Sequence, residues 1–246
     1  MRILKVRNKN VMIELLKSGA DFEKISIVSD LEKDSLTEEI ISTAESRGIR
    51  IETVSIGKMA KRRSGETREV LVAFLILERI WSLKNLLDKL YEEGKDPFFL
   101  LLNRVDFESN IGRIARTAYA AGVNGLFFQG DEDRFLNEES LHFSMGSLAK
   151  IPLVKMNIFE ALKEFQREGI KTFGLQMGGN NYYDENLSGP VAFVLGEEGG
   201  GVSEDVLKKC NKKISIPMKQ GIDSLNVAIS AGIVLYEKVR QDGKIV

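Results

Sequence analysis

Val191-Ala192-Phe193-Val194-Leu195-Gly196-Glu197-Glu198-Gly199-Gly200-Gly201-Val202-Ser203 passes from an unbroken apolar run into a cluster of glycines and then into a helix-start residue. A short apolar run closed by glycine reads as a strand covered on both faces, and Ser203 reads as the N-cap of a helix over Ser203–Lys209. The pattern recurs downstream. Lys213–Ile216 is a strand, Pro217-Met218 and Gly221-Ile222-Asp223-Ser224 form a loop, and Leu225–Arg240 is a helix with Leu225, Val227, Ile229, Ile233, Leu235, Tyr236 and Val239 apolar. Strands that alternate with helices imply an α/β fold with a mostly parallel sheet. Both loops are rich in Gly, Ser and Asn, which lets backbone come close to a ligand.

The same rhythm extends upstream to Pro97. Phe98–Leu102, Gly125–Phe128, Leu153–Val154 and Lys171–Leu175 read as strands; Asn110–Ala121, which Gly122 can end, and Ile158–Arg167 read as helices, with weaker helical signals around Glu138–Leu141 and Met145–Ala149. The first seventy-odd residues form a separate α/β pattern. There Asn10–Leu16, Leu36–Ser46 and Ile56–Arg63 are helical, and Lys24–Val28, Arg50–Val54 and Val70–Phe74 are strand-like. Glu78–Glu93 carries Ile80, Leu83, Leu86, Leu87 and Leu90 on one face, as an amphipathic connecting helix would. The expected organisation is a small domain over residues 1–76, a connection over 77–95 and a larger domain over 96–246. Connection rules alone would draw the larger domain as an open, unknotted sheet.

Charge sets limits on partners. With 35 Lys and Arg against 36 Asp and Glu, the net charge of −1 gives no overall pull toward nucleic acid. RNA binding would have to come from local patches such as Arg2, Lys5, Arg7 and Lys9, or Lys58, Lys61, Arg62, Arg63 and Arg68, each of which also reads as an ordinary solvated face. A single histidine, His142, and a single cysteine, Cys210, leave no zinc site and no intrachain disulfide to expect. No apolar stretch is long enough to span a bilayer, the N-terminus lacks the apolar core of a signal peptide, and cytoplasm is the expected compartment. The chemistry falls to Arg, Glu, Ser, Asn and backbone groups, without a metal.

Three constellations carry it. Asn110-Ile111-Gly112-Arg113-Ile114-Ala115-Arg116-Thr117-Ala118 places Arg113 and Arg116 on one face of the first helix after a strand. In isolation that is an ordinary helix with exposed arginines. Gly196–Ser203 does not fit the dinucleotide spacing G-x-G-x-x-G. In the third, Ser224 and Asn226 stand at a helix start, where one cap explains one of them and leaves the other unexplained.

Taken together and in this order, the three segments resemble the signature motifs of the SpoU/TrmH family of RNA 2′-O-ribose methyltransferases. The pattern Gly, any residue, Glu, Gly, any residue, Gly fits Gly196, Glu198, Gly199 and Gly201. Ser144-Met145-Gly146-Ser147 before Ile151-Pro152, and Tyr183-Asp184 before Leu187-Ser188-Gly189-Pro190, are similar to the rRNA guanosine branch. That branch has a His-Gln-Gly segment near the end of its first domain where this chain has Thr67-Arg68-Glu69-Val70.

The resemblance implies a deep C-terminal trefoil knot, a small N-terminal domain like ribosomal protein L30 that binds substrate RNA, and a homodimer. It implies S-adenosylmethionine as cofactor, contacted by Gln176, Leu195, Gly196, Gly201, Ile216, Met218, Ser224 and Leu225. Its catalytic candidates are Asn110, Arg116, Glu198, Ser224 and Asn226, and its RNA-binding candidates are Arg7, Arg62, Arg63, Arg113 and Arg116. The expected reaction is 2′-O-methylation of structured RNA, first of all a 23S rRNA guanosine, with tRNA the next substrate. A non-catalytic RNA-binding or ribosome-assembly protein on the same fold is the rival from another class; a nicotinamide or flavin oxidoreductase would need a Gly-rich loop near the start of a domain, and this chain has none there.

Overall fold

The computed structural model describes residues 2–29, 34–54, 71–77, 80–197 and 199–243. The chain divides into two compact units, Met1–Arg79 and Ile80–Val246. The helix expected over Ile56–Arg63 lies outside the described residues.

The first unit runs β1 (Arg2–Val6), α1 (Lys9–Lys17), β2 (Phe22–Val28), α2 (Ser35–Ser46), β3 (Ile51–Val54) and β4 (Leu71–Leu77). Its sheet has the order β1-β4-β2-β3, with β4 antiparallel to both neighbours and β2 parallel to β3. Side chains set the helix ends. Asn8 accepts from Val11 N–H to cap α1, and Asp34 accepts from Thr37 N–H at 2.8 Å to cap α2. The Lys9 ammonium at 2.7 Å, followed by the Thr37 bonds, holds the Asp34 carboxyl well below the usual carboxylate range. Arg47 donates to the carbonyls of Leu16 and Ala20 at 2.7 and 2.9 Å, closing the end of α1 from a residue far along the chain. β1 is a strand the periodicity did not reveal, because an edge strand with Arg2 and Lys5 on it reads as a charged terminus.

The second unit continues with α3 (Leu83–Glu92), β5 (Phe98–Leu102), α4 (Glu108–Ala120), β6 (Gly125–Phe128), α5 (Glu132–Phe135), α6 (Glu138–Phe143), β7 (Leu153–Lys155) and α7 (Ile158–Arg167). It ends with β8 (Lys171–Asn181), β9 (Val191–Leu195), α8 (Glu204–Leu207), β10 (Lys212–Ser215) and α9 (Val227–Gln241). The six strands lie in the order β10-β8-β9-β5-β6-β7, and every neighbouring pair is parallel. Phe98–Leu102 and Val191–Leu195 are buried along their whole length, the reason they read as unbroken apolar runs.

The helix expected to connect two domains belongs to this unit's core. Leu83, Leu86, Leu87 and Leu90 of α3 pack with Phe99, Phe127 and Phe165, whose rings lie 5.0–5.4 Å apart. Each such side chain contributes about 1.5–3 kcal/mol on burial. The apolar stripe that suits a connector suits a core helix equally, since periodicity gives a face and not its partner.

Near the chain's end, Lys238 is only 2% exposed. Its ammonium donates to the Gly189 carbonyl at 2.8 Å and to Asp242 at 2.6 Å, and lies 5.6 Å from the Phe98 ring centre. Gln241 accepts from Leu187 N–H and donates to the Glu185 carbonyl, so the last turn of α9 is fastened to residues 185–189. Among the described residues no helix is long and apolar enough to cross a membrane.

α4 and α6 meet at Gly112. A Cβ there would stand 2.5 Å from Phe143 Cβ and 2.6 Å from the Ser140 carbonyl oxygen, so only glycine permits the approach. We expect Gly112→Ala to destabilise the second unit by about 1–3 kcal/mol through overpacking, seen as a lower denaturant midpoint with unchanged m; an unshifted midpoint would count against the contact.

Candidate active site

β8, β9 and β10 are neighbours, and the segments that follow their carboxyl ends converge, the position where parallel α/β sheets hold ligands. A pocket of about 110 Å³ opens there. It is lined by Leu175, Gln176 and Met177 from β8, Leu195 at the end of β9, Gly196, Glu197, Gly199 and Gly201 from the loop that follows, and Ile216, Met218, Asp223, Ser224 and Leu225 from the loop after β10; Val227 and Ser230 of α9 complete it.

The β8 contribution comes from an irregularity. Pairing with β10 steps from Gly174 opposite Lys213 to Asn180 opposite Ile214, so residues 175–179 bulge out between two paired stretches. Gly179 lies against β10, where a Cβ would stand 2.6 Å from the Lys213 carbonyl oxygen. The expected strand stopped at Leu175, whereas β8 runs to Asn181, because a bulge breaks the alternation by which a strand is read.

The loop after β9 is folded back on itself. Gly201 N–H donates to the Glu197 carbonyl at 2.9 Å, and the two residues form an isolated antiparallel bridge. A Cβ on Gly196 would overlap the Gly201 carbonyl and Val202 nitrogen. Gly201 itself has φ 67°, and a Cβ on it would overlap the Gln176 amide. The ends of the loop are held by Asn103, just past β5: its N–H donates to the Leu195 carbonyl at 2.8 Å and its Oδ1 accepts from Ser203 N–H at 3.4 Å. Ser203 stands at the cap position of α8 as expected, without a side-chain capping bond.

Asn226 caps α9, its Oδ1 accepting from Ala228 N–H at 3.0 Å, and its Nδ2 donates to Asn110 Oδ1 at 3.1 Å. Asn110 is 4% exposed, in the first turn of α4. This bond joins the first and third sequence constellations across more than a hundred residues. Arg113 and Arg116 both lie exposed on α4, as the helical spacing requires, and the Arg113 guanidinium stands 5.3 Å from the Phe143 ring centre. Neither arginine lines the pocket of its own chain.

Of the expected residues, Gln176, Leu195, Gly196, Gly201, Ile216, Met218, Ser224 and Leu225 all line this one pocket. Arg7 is half-buried in the first unit. Glu198, Arg62 and Arg63 lie outside the described residues. Sequence reasoning did not single out Leu175, Met177, Glu197, Asp223, Val227 or Ser230 as lining residues. Five of them flank residues that it did single out; Ser230, one helical turn beyond Val227, carries no such signal. The walls offer apolar side chains, close-set backbone and two carboxylates, Glu197 and Asp223, a combination suited to a ligand with a flat apolar part and a positive charge.

Residues 97–236 match the model of the SpoU rRNA Methylase family. The 23S rRNA (guanosine-2′-O-)-methyltransferase RlmB of Yersinia pestis is 30% identical over 212 residues, 85% of this chain and 86% of that protein. RlmB of Escherichia coli strain K12 is 29% identical over 222 residues, 89% of this chain and 90% of that one. The crystal structure of the SpoU methyltransferase AviRb from Streptomyces viridochromogenes in complex with AdoMet superposes with a TM-score of 0.76 at 23% identity, covering 97% of this chain and 90% of that chain, a likeness of fold.

Gly196→Ala should lower affinity for the ligand of this pocket at least about tenfold, since its Cβ meets backbone that cannot swing aside. Titration calorimetry with S-adenosylmethionine measures this, and wild-type affinity in the variant would show that the loop tolerates a side chain there.

Proposed function

The chain belongs to the SpoU rRNA methylase family, and on that premise we propose that it transfers the methyl group of S-adenosylmethionine to a ribose 2′-hydroxyl of structured RNA, a guanosine of 23S rRNA first of all. The observation that carries this reading is the pocket at the ends of β8, β9 and β10, lined by all eight residues that the family resemblance implies for the cofactor. The residues fit the group. Leu195, Ile216 and Leu225 offer apolar walls for an adenine, the glycines leave backbone close enough to hydrogen-bond it, and the carboxylates of Glu197 and Asp223 suit a sulfonium.

When bound, S-adenosylmethionine supplies an electrophilic methyl on sulfur. The protein's share is to hold the ribose oxygen in line with that methyl and to stabilise the charge left as its proton departs. A guanidinium keeps its proton across the working range of proteins, so the role proposed for Arg116 is a clamp on RNA phosphate and on the developing alkoxide. Asn110, oriented by Asn226, offers its amide to the ribose. Ser224 at the pocket wall and Glu198 are the further polar groups of this reading, with Arg113 beside Arg116 as a phosphate contact.

The N-terminal unit is proposed as the L30-like RNA reader, with Arg7, Arg62 and Arg63 contributing, and the second unit as the trefoil-knotted catalytic domain of a cytoplasmic enzyme. Arg116 lies off the pocket of its own chain, so the proposed active form is a homodimer in which the partner completes the site. Ile229 and Tyr236, 57% and 48% exposed, with Ile233 between them, form an apolar stripe on α9 suited to that contact. Light scattering at micromolar concentration should give twice 27.5 kDa, and a clean monomer would sink the dimer.

The deciding assay is methyl transfer from labelled S-adenosylmethionine to unmodified rRNA and tRNA, followed by alkaline digestion. Label in alkali-resistant dinucleotides from rRNA is expected, because a 2′-O-methyl removes the hydroxyl that attacks the next phosphodiester. Label from tRNA alone would move the substrate, label in mononucleotides would mean base methylation, and none from either with cofactor bound would favour the non-catalytic rival. In the same assay Arg116→Lys should cost about 100-fold in turnover by losing the planar fork; near-normal turnover would refute the clamp.

A further inference from the structure

Gln176 stands on the bulge of β8, apart from all three signature segments, and holds the glycine loop from the opposite side of the pocket. Its Oε1 accepts from Val202 N–H at 3.0 Å. A backbone N–H only donates, so the atom that meets it is the amide oxygen, and this fixes which end of the side chain carries the nitrogen. Gly201 is pressed against the same amide, close enough that a Cβ would overlap it. Val202 is 2% exposed and packs in the core with Val206 and Leu207, so this bond joins the rim of the pocket to the interior. Gln176 and Gly201 both line the cavity, and among the described residues the Nε2 donors of Gln176 have no partner.

We infer that Gln176 is a positioning residue for the cofactor: its oxygen latches the 196–203 loop at Val202, and its nitrogen is offered to an acceptor on the bound S-adenosylmethionine. Both ends of one planar amide are then used, so filling the pocket and setting the loop are a single event. The proposal rests on the reading of this pocket as the cofactor site. It adds that the loop's shape depends on a side chain from the neighbouring strand, beyond the loop's own glycines.

Two variants separate the two ends. Gln176→Glu keeps an acceptor for Val202 and loses the donor, whereas Gln176→Met keeps the length and loses both. Calorimetry with S-adenosylmethionine and with S-adenosylhomocysteine, which lacks the sulfonium charge, is combined with hydrogen exchange at Val202. Gln176→Glu should weaken both ligands about tenfold, the scale of one hydrogen bond, with Val202 protection retained. Gln176→Met should weaken both further and speed Val202 exchange at least about tenfold, raising KM for the cofactor while kcat at saturation stays within about threefold.

Wild-type affinity in Gln176→Glu would remove the donor role, and unchanged Val202 exchange in Gln176→Met would remove the latch. A weakening in Gln176→Glu confined to one ligand would trace it to the new charge and also remove the donor role. If Gln176→Met does not fold, Gln176→Ala tests the latch by the same Val202 exchange, and Gln176→Glu still decides the donor role. Wild-type protein that binds neither ligand would overturn the cofactor reading of the pocket, whereas wild-type binding with no change in the variants would overturn only the role of Gln176.

Discussion

Gly196 and Gly201 lie backbone against backbone at the end of β9, with no room for a side chain on either. That approach turns the chain straight back after an entirely buried strand, and so brings Val202 into the core while the crest of the loop stays at the pocket. Asn103 can hold both ends of the loop only because they come back to nearly the same place. The positions of α8 and β10, and with them the last loop, follow from that turn. A parallel sheet buried on both faces supplies the rigidity that such a turn needs.

The second constraint is the bond between Asn110 and Asn226. Each asparagine sits at the beginning of a helix, where unpaired N–H groups make a polar partner valuable. Asn226 spends its oxygen on the cap and its nitrogen on Asn110, so the orientation of both amides is fixed by one chain of donors and acceptors. A loop near the chain's end is thereby tied to the helix that carries the arginines.

Much of this was legible in the sequence, for physical reasons that also explain the gaps. Phe98–Leu102 and Val191–Leu195 matched their observed bounds because a strand buried on both faces has an apolar run with sharp edges. Helix limits at α1, α2 and α9 came within two residues because caps are local chemistry. β1 did not show itself, since its charged residues are tolerated at a sheet edge, and the length of β8 was missed because pairing with β10 breaks and resumes around a bulge. The pocket's glycines and its last loop stood out by composition. Leu175 and Met177 did not, for they are ordinary residues made important by where a bulge puts them.

The pocket draws on Leu175 through Ser230 alone, whereas the two exposed arginines stand on Glu108–Ala120 and the N-terminal unit is a separate body. The pocket and the exposed arginines are thus encoded in different stretches of the gene, held together by the Asn110–Asn226 bond and the packing of α4 on α9. Substitutions in the N-terminal unit leave every residue of the pocket untouched, so the two stretches can diverge at different rates. A lineage built this way can hold the lining of the pocket fixed while its first unit drifts.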